Sequence, residues 1–197
     1  EHGADATLLS ALDEIAWTLN VRCSDVEFNP VTISYAYLSD TVNVFFVDER
    51  KIDADVRAYL KECGVEVAPY DSVEKFLEKI KDATVLLDPN KTSDTIARSL
   101  LNCGTVYAQS PVALLKAVKN DVQIEGTRKA MERDGVALVK LFMWIEQNVA
   151  SGSITEYDVA QKVQEFRAAS PLYRGESFGL IAGYNEHGAI VHYEPEK

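Results

Sequence analysis

The chain has 197 residues, with 31 Asp and Glu against 20 Lys and Arg, for a formal net charge of −11. That length suits one large domain or two small ones, and 47% hydrophobic with 26% charged residues is ordinary globular usage, not disorder. The acid excess repels a phosphate backbone, which argues against nucleic acid as a partner, and no apolar run reaches the roughly 18–20 residues of a membrane span.

Ala4 to Leu9 reads as a buried strand, and Ser10 as the N-cap of a helix whose stripe is Leu12, Ile15, Ala16 and Leu19. After the breaker Asn29-Pro30 come two strands, Val31 to Leu38 and Val42 to Val47, joined tightly through Ser39-Asp40, a hairpin expected at one sheet edge. Helix Asp53 to Cys63 ends on Gly64, a favourable residue after a helix, and strand Val65 to Ala68 follows. The same alternation continues through helix Ser72 to Lys81 (stripe Val73, Phe76, Leu77, Ile80), strand Ala83 to Leu87, helix Thr92 to Asn102 and strand Thr105 to Ala108. Residues 1–109 therefore read as one α/β layer on a mixed sheet.

From Ser110 the pattern changes. Residues 110–121 are expected to be a connector holding a short helix from Pro111 to Lys119. Residues 122–197 are expected to hold a long amphipathic helix, Val122 to Val149, and a helix capped by Thr155 with Asp158 at its third position, ending near Ala169. Strands Ser177 to Ala182 and Ala189 to Tyr193 close the list, with Val191 and Tyr193 facing the helices. Two helices on a two-stranded ribbon make a poor free-standing core, so more chain is expected after residue 197, and without an initiator Met the chain is expected either to have been processed or to be a piece of something longer.

The side chains alone point to little chemistry. Cys23, Cys63 and Cys103 form no C-x-x-C pair and read as reduced, buried thiols. His187 and His192 are five apart, which on a strand puts them on opposite faces and disfavours a shared metal. Asp13-Glu14 and Asp48-Glu49 read as caps and solvated turn charges. Dinucleotide, P-loop, nucleophile-elbow and zincin patterns do not occur.

Longer stretches are more specific. Ala11-Leu12-Asp13-Glu14-Ile15-Ala16-Trp17, then Asn20-Val21-Arg22 and Asn29-Pro30-Val31, resemble the middle domain of the Xaa-Pro aminopeptidases (aminopeptidase P). Lys116-Ala117-Val118-Lys119-Asn120, with Glu125-Gly126-Thr127-Arg128-Lys129-Ala130 and Asp134-Gly135-Val136-Ala137-Leu138, resembles that family's entry into its catalytic domain. Ser177-Phe178, Ile181 and His187-Gly188-Ala189-Ile190-Val191-His192-Tyr193-Glu194-Pro195 resemble its strand pair ending in a His-Tyr-x-Pro element. Cys23 stands where glycine is usual, and His187 where asparagine is common.

The resemblance implies a creatinase-N-like (ribonuclease H-like) mixed-sheet α/β domain followed by an incomplete pita-bread α+β half-domain. It implies a cytoplasmic metalloaminopeptidase that removes the N-terminal residue from peptides with proline second, using two Mn²⁺ held by two Asp, one His and two Glu. In the family those ligands all follow the His-Tyr-x-Pro element, so none is expected here, and the 197-residue chain alone is expected to be inactive. His192 is implied to bind substrate or shuttle protons, Phe178 to wall a proline pocket, and Arg22 to approach the substrate's amino-terminal side. The other reading is a non-catalytic binding or regulatory module on the same fold. The uncovered ribbon is expected to drive self-association.

Overall fold

The computed structural model describes residues 3–196. The chain divides into two units, Glu1–Val118 and Lys119–Lys197. The first carries strands β1 (Ala6–Leu9), β2 (Ser34–Ser39), β3 (Asn43–Val47), β4 (Glu66–Pro69), β5 (Thr84–Leu87) and β6 (Gly104–Tyr107). Its helices are α1 (Leu12–Thr18), α2 (Ala54–Glu62), α3 (Val73–Leu77), α4 (Asp94–Arg98) and α5 (Pro111–Ala117).

The strands form one mixed sheet in the order β4-β3-β2-β1-β5-β6. β2 runs antiparallel to β1 and β3, and the other neighbours are parallel. The expected hairpin is present as β2–β3, but it lies inside the sheet, not at its edge. The crossover through α2 returns β4 parallel to β3 on its outer side, so the edges are β4 and β6.

Strand alternation sends successive side chains to opposite faces, and helices cover both. Leu8, Tyr37, Val44, Phe46, Val85 and Leu87 meet Val73 and Leu77 of α3 and Ile96 of α4 on one face. Leu9, Ala36, Phe45 and Val47 meet Ile15 of α1, Leu60 of α2 and Val112 of α5 on the other. Pro111–Ala117, read from sequence as part of a connector, is thus seated in the first unit's core through Val112 and packs on α1.

Several local expectations change. Ser10 does not cap α1: the N-cap is Ala11, which makes no side-chain cap, and the Ser10 hydroxyl is buried without a partner. Glu14, read as solvated, is buried because the packed turn carrying Ile15 and Ala16 takes it inward. Cys63 is exposed and Cys23 and Cys103 only half-buried, since Cys63 ends α2 at the surface beside Gly64, whose φ is 72°. α3 and α4 are shorter than their stripes suggest. Beyond each, the backbone tightens into three-residue turns, Ile80 N–H to Leu77 C=O at 3.1 Å and Ser99 N–H to Ile96 C=O at 3.2 Å.

The second unit contains α6 (Asp121–Asn148) and α7 (Glu156–Ala168). Both begin with capping boxes, Asn120 with Gln123 and Thr155 with Asp158. The helices pack through Ala137, Leu141, Ala160 and Val163. Arg167 joins them: its Nε donates to Asp134 Oδ1 at 2.6 Å and its Nη1 to Glu176 Oε2 at 2.7 Å. Among the described residues, the expected strands Ser177 to Ala182 and Ala189 to Tyr193 do not form. A 3-10 turn, Asn185–Ala189, lies between these segments, and Asn185 and His192 have φ of 52° and 56°, outside strand geometry. The loop between them is tight: a Cβ on Gly183 would lie 2.9 Å from the Gly188 nitrogen, so the close approach requires glycine there.

Candidate functional site

The polar cluster in the second unit converges on the first residue of α7. Thr155 caps the helix by accepting from Asp158 N–H at 3.2 Å, while Asp158 accepts from Thr155 N–H at 2.8 Å. This fixes Glu156 at the positive end of the helix dipole. Its Oε2 accepts from Tyr193 Oη at 2.6 Å and pairs with His187 Nδ1 at 2.7 Å, and its Oε1 accepts from Tyr184 N–H. An ionised carboxylate can only accept, so His187 carries its proton on Nδ1 in this pairing. The His187 and Tyr193 rings lie 4.6 Å apart.

The electrostatics follow from these contacts. The Tyr193 hydroxyl lowers the Glu156 pKa below the usual carboxylate range; burial opposes this, and His187 and Tyr184 N–H reinforce it. The same hydrogen bond, with burial, pushes the Tyr193 phenol up. Beside the cluster is a cavity of about 720 Å³, with Ile145, Val149 and Val159 supplying apolar wall and Glu156 and His187 the polar edge. Such a carboxylate can hold and orient a loop.

The residues singled out from sequence lie in different places. His192 is exposed, on a turn with φ of 56°, one residue before the tethered Tyr193. With no strand there, the argument from opposite strand faces does not apply to His187 and His192. Tyr193 does reach α7, but Val191, expected to face the helices, is 82% exposed. Phe178 is exposed at the rim of a 510 Å³ cleft that also includes Met131, Asp134, Arg167 and Tyr173. Arg22 belongs to the first unit. Its Nη1 donates to Ala16 C=O at 2.9 Å and Val21 C=O at 2.8 Å, closing the C-terminal end of α1. Sequence reading missed Glu156. The signal for it was the capping box, which puts that residue at a helix start, but the groups it receives are 28 to 37 positions away.

A di-metal site built from Asp, His and Glu needs at least three such side chains converging. Among the described residues no such group exists, and both Glu156 oxygens already have protein donors. These residues do not fit a metal pair.

Comparison with known proteins adds a second line of evidence. Residues 1–123 match the Creatinase/Prolidase N-terminal domain, and residues 125–197 match Metallopeptidase family M24. Aminopeptidase P2 of Arabidopsis thaliana is 33% identical, over 98% of this chain and 32% of its own length. Xaa-Pro aminopeptidase ApepP of Drosophila melanogaster is 37% identical, over 100% of this chain and 33% of its own length. The crystal structure of X-prolyl aminopeptidase from Caenorhabditis elegans, described as a cytosolic enzyme with a di-nuclear active site, superposes with a TM-score of 0.93 at 30% identity, over 98% of this chain and 33% of that one. The chain spans about a third of the length of these relatives.

Proposed function

Since the chain belongs to the Creatinase/Prolidase N-terminal domain family, whose model matches residues 1–123, we propose that it is part of a Xaa-Pro aminopeptidase that removes the N-terminal residue from peptides with proline second. The observation that carries this is continuous similarity, at 33–37% identity, across 98–100% of the chain to relatives bearing that name. Residues 1–109 are read as the middle α/β domain, 110–121 as a connector and 122–197 as the first part of a pita-bread catalytic domain. The enzyme works in the cytoplasm with two Mn²⁺, a hard ion suited to carboxylate-rich ligands supplied outside this chain. His192 binds substrate or moves a proton near the reacting bond, Phe178 walls the pocket for the proline ring, and Arg22 approaches the substrate's amino-terminal side.

The segments 177–182 and 189–193, where Phe178, Ile181, Ile190 and Val191 are exposed, drive self-association of the 197-residue chain. That chain alone is inactive, because the family's metal ligands all follow the His-Tyr-x-Pro element.

The test is release of the N-terminal residue from an Ala-Pro-containing tripeptide with added Mn²⁺. The product of the complete open reading frame cleaves it and loses activity on chelation, whereas residues 1–197 do not. No cleavage by the complete, metal-loaded product would overturn the enzyme reading in favour of a binding module.

A further inference from the structure

The segment bearing His192 contains two non-glycine residues in the left-handed backbone region, Asn185 and His192. Asn tolerates that region; a histidine there is strained and persists only where its surroundings enforce it. His192 itself is exposed, so its own burial does not enforce the turn. The anchors are on either side. Tyr193, the next residue, gives its hydroxyl to Glu156, and Tyr184 and His187 give a backbone N–H and a ring N–H to the same carboxylate. One side chain at a rigid, doubly capped helix start therefore ties both ends of the loop 184–193.

We propose that Glu156 is a positioning residue: through Tyr193 and His187 it holds the His192 turn in its left-handed conformation and so sets the direction in which the imidazole meets substrate. The inference rests on the reading of His192 given under the proposed function. Glu156 touches no reacting atom. Its contribution is geometric, and misplacement of a catalytic group by about 1 Å can cost on the order of a hundredfold in rate.

The charged and titratable neighbours of the cluster are Asp158 on α7, Glu186 beside the cavity and Glu196, which acts on Tyr193. Asp158 is engaged by its own capping box, and among the described residues neither Glu186 nor Glu196 accepts a hydrogen bond from Tyr193, His187 or Tyr184.

The experiment is a double-mutant cycle in the product of the complete reading frame, measuring kcat and KM on an Xaa-Pro peptide. Glu156→Gln has one accepting oxygen instead of two and is expected to lower kcat about 10- to 100-fold with KM nearly unchanged. Tyr193→Phe should do so in the same direction, and Glu156→Asp should restore part of the loss. In a His192→Ala background, Glu156→Gln should cost less than about twofold, because the group it positions is gone. Equal losses in both backgrounds would show a general structural effect and overturn the inference. If His192→Ala alone changes nothing, the reading of His192 falls, a result distinct from additivity. Should Glu156→Gln not fold, the same cycle run with Tyr193→Phe decides, and the His192 ring proton resonances of the Tyr193→Phe chain should shift from wild type.

Discussion

Asp25→Asn is the substitution whose effect can be worked most fully from the structure. Asp25 sits in the loop between α1 and β2, only 13% exposed at its side chain. Its Oδ2 accepts from Lys51 Nζ at 2.5 Å, Ile33 N–H at 2.8 Å and Thr32 Oγ1 at 3.0 Å, and its Oδ1 from Cys23 Sγ at 3.5 Å. Burial pushes the carboxyl pKa up, but the Lys51 ammonium and the Ile33, Thr32 and Cys23 donors outweigh it and bring the value from 3.8 down to about 2. At about 1.36 kcal/mol per pH unit, that lowering corresponds to roughly 2 kcal/mol of stability. A lowered carboxylate pKa contributes fully above 3.8 and is lost as pH falls through about 2, so roughly half remains at pH 3.

Asparagine keeps one acceptor but carries no charge for Lys51 and does not titrate. With a urea m-value of about 1–3 kcal/mol/M, Asp25→Asn should lower the midpoint at pH 7 by roughly 1 M, and by about half that at pH 3. Urea titrations followed by the half-buried Trp17 of the same unit measure both. A midpoint shift that is identical at the two pH values, or under about 0.3 M at pH 7, refutes the assigned ion pair and hydrogen bonds.

The core and surface predictions are simpler. Phe46 is 0% exposed and packs edge-on to Phe76 at 5.2 Å between centroids, so Phe46→Ala should cost about 3–5 kcal/mol in the same titration. That is a large part of a typical 5–15 kcal/mol, and a loss below about 1 kcal/mol would contradict the packing described. For self-association, light scattering of the 197-residue chain should show mass rising with concentration, and Val191→Glu should reduce it. A constant monomer mass would refute the role of segments 177–182 and 189–193.

Much of the first unit was legible because its signals are local and periodic. Val44 to Val47 alternate between the two covered faces and Gly64 ends α2; in the second unit, Thr155 with Asp158 forms the capping box expected of them. The resemblance carried by Ala11 to Val31 and by His187 to Pro195 agrees with both family matches. What misled was also local. Ser10 has the chemistry of a cap, yet the chain turns into the helix one residue later and buries its hydroxyl. The β-prone run Ala189 to Tyr193 was read as a strand, although strand formation needs a partner that sequence alone does not supply.

By itself, then, the sequence determined the alternation of strands and helices in the first unit, the Gly64 end of α2, the Thr155–Asp158 capping box and the family to which the chain belongs. These depend on neighbours within a few residues, or on the order of many conserved-type motifs along the chain. Only the tertiary structure decided that the β2–β3 hairpin lies inside the sheet, that α5 is seated in the first unit's core and that His192 stands on a left-handed turn tied to Glu156 through Tyr193. Each of those depends on which distant group satisfies a backbone edge, an apolar face or a carboxylate, and chain folding sets that, not spacing.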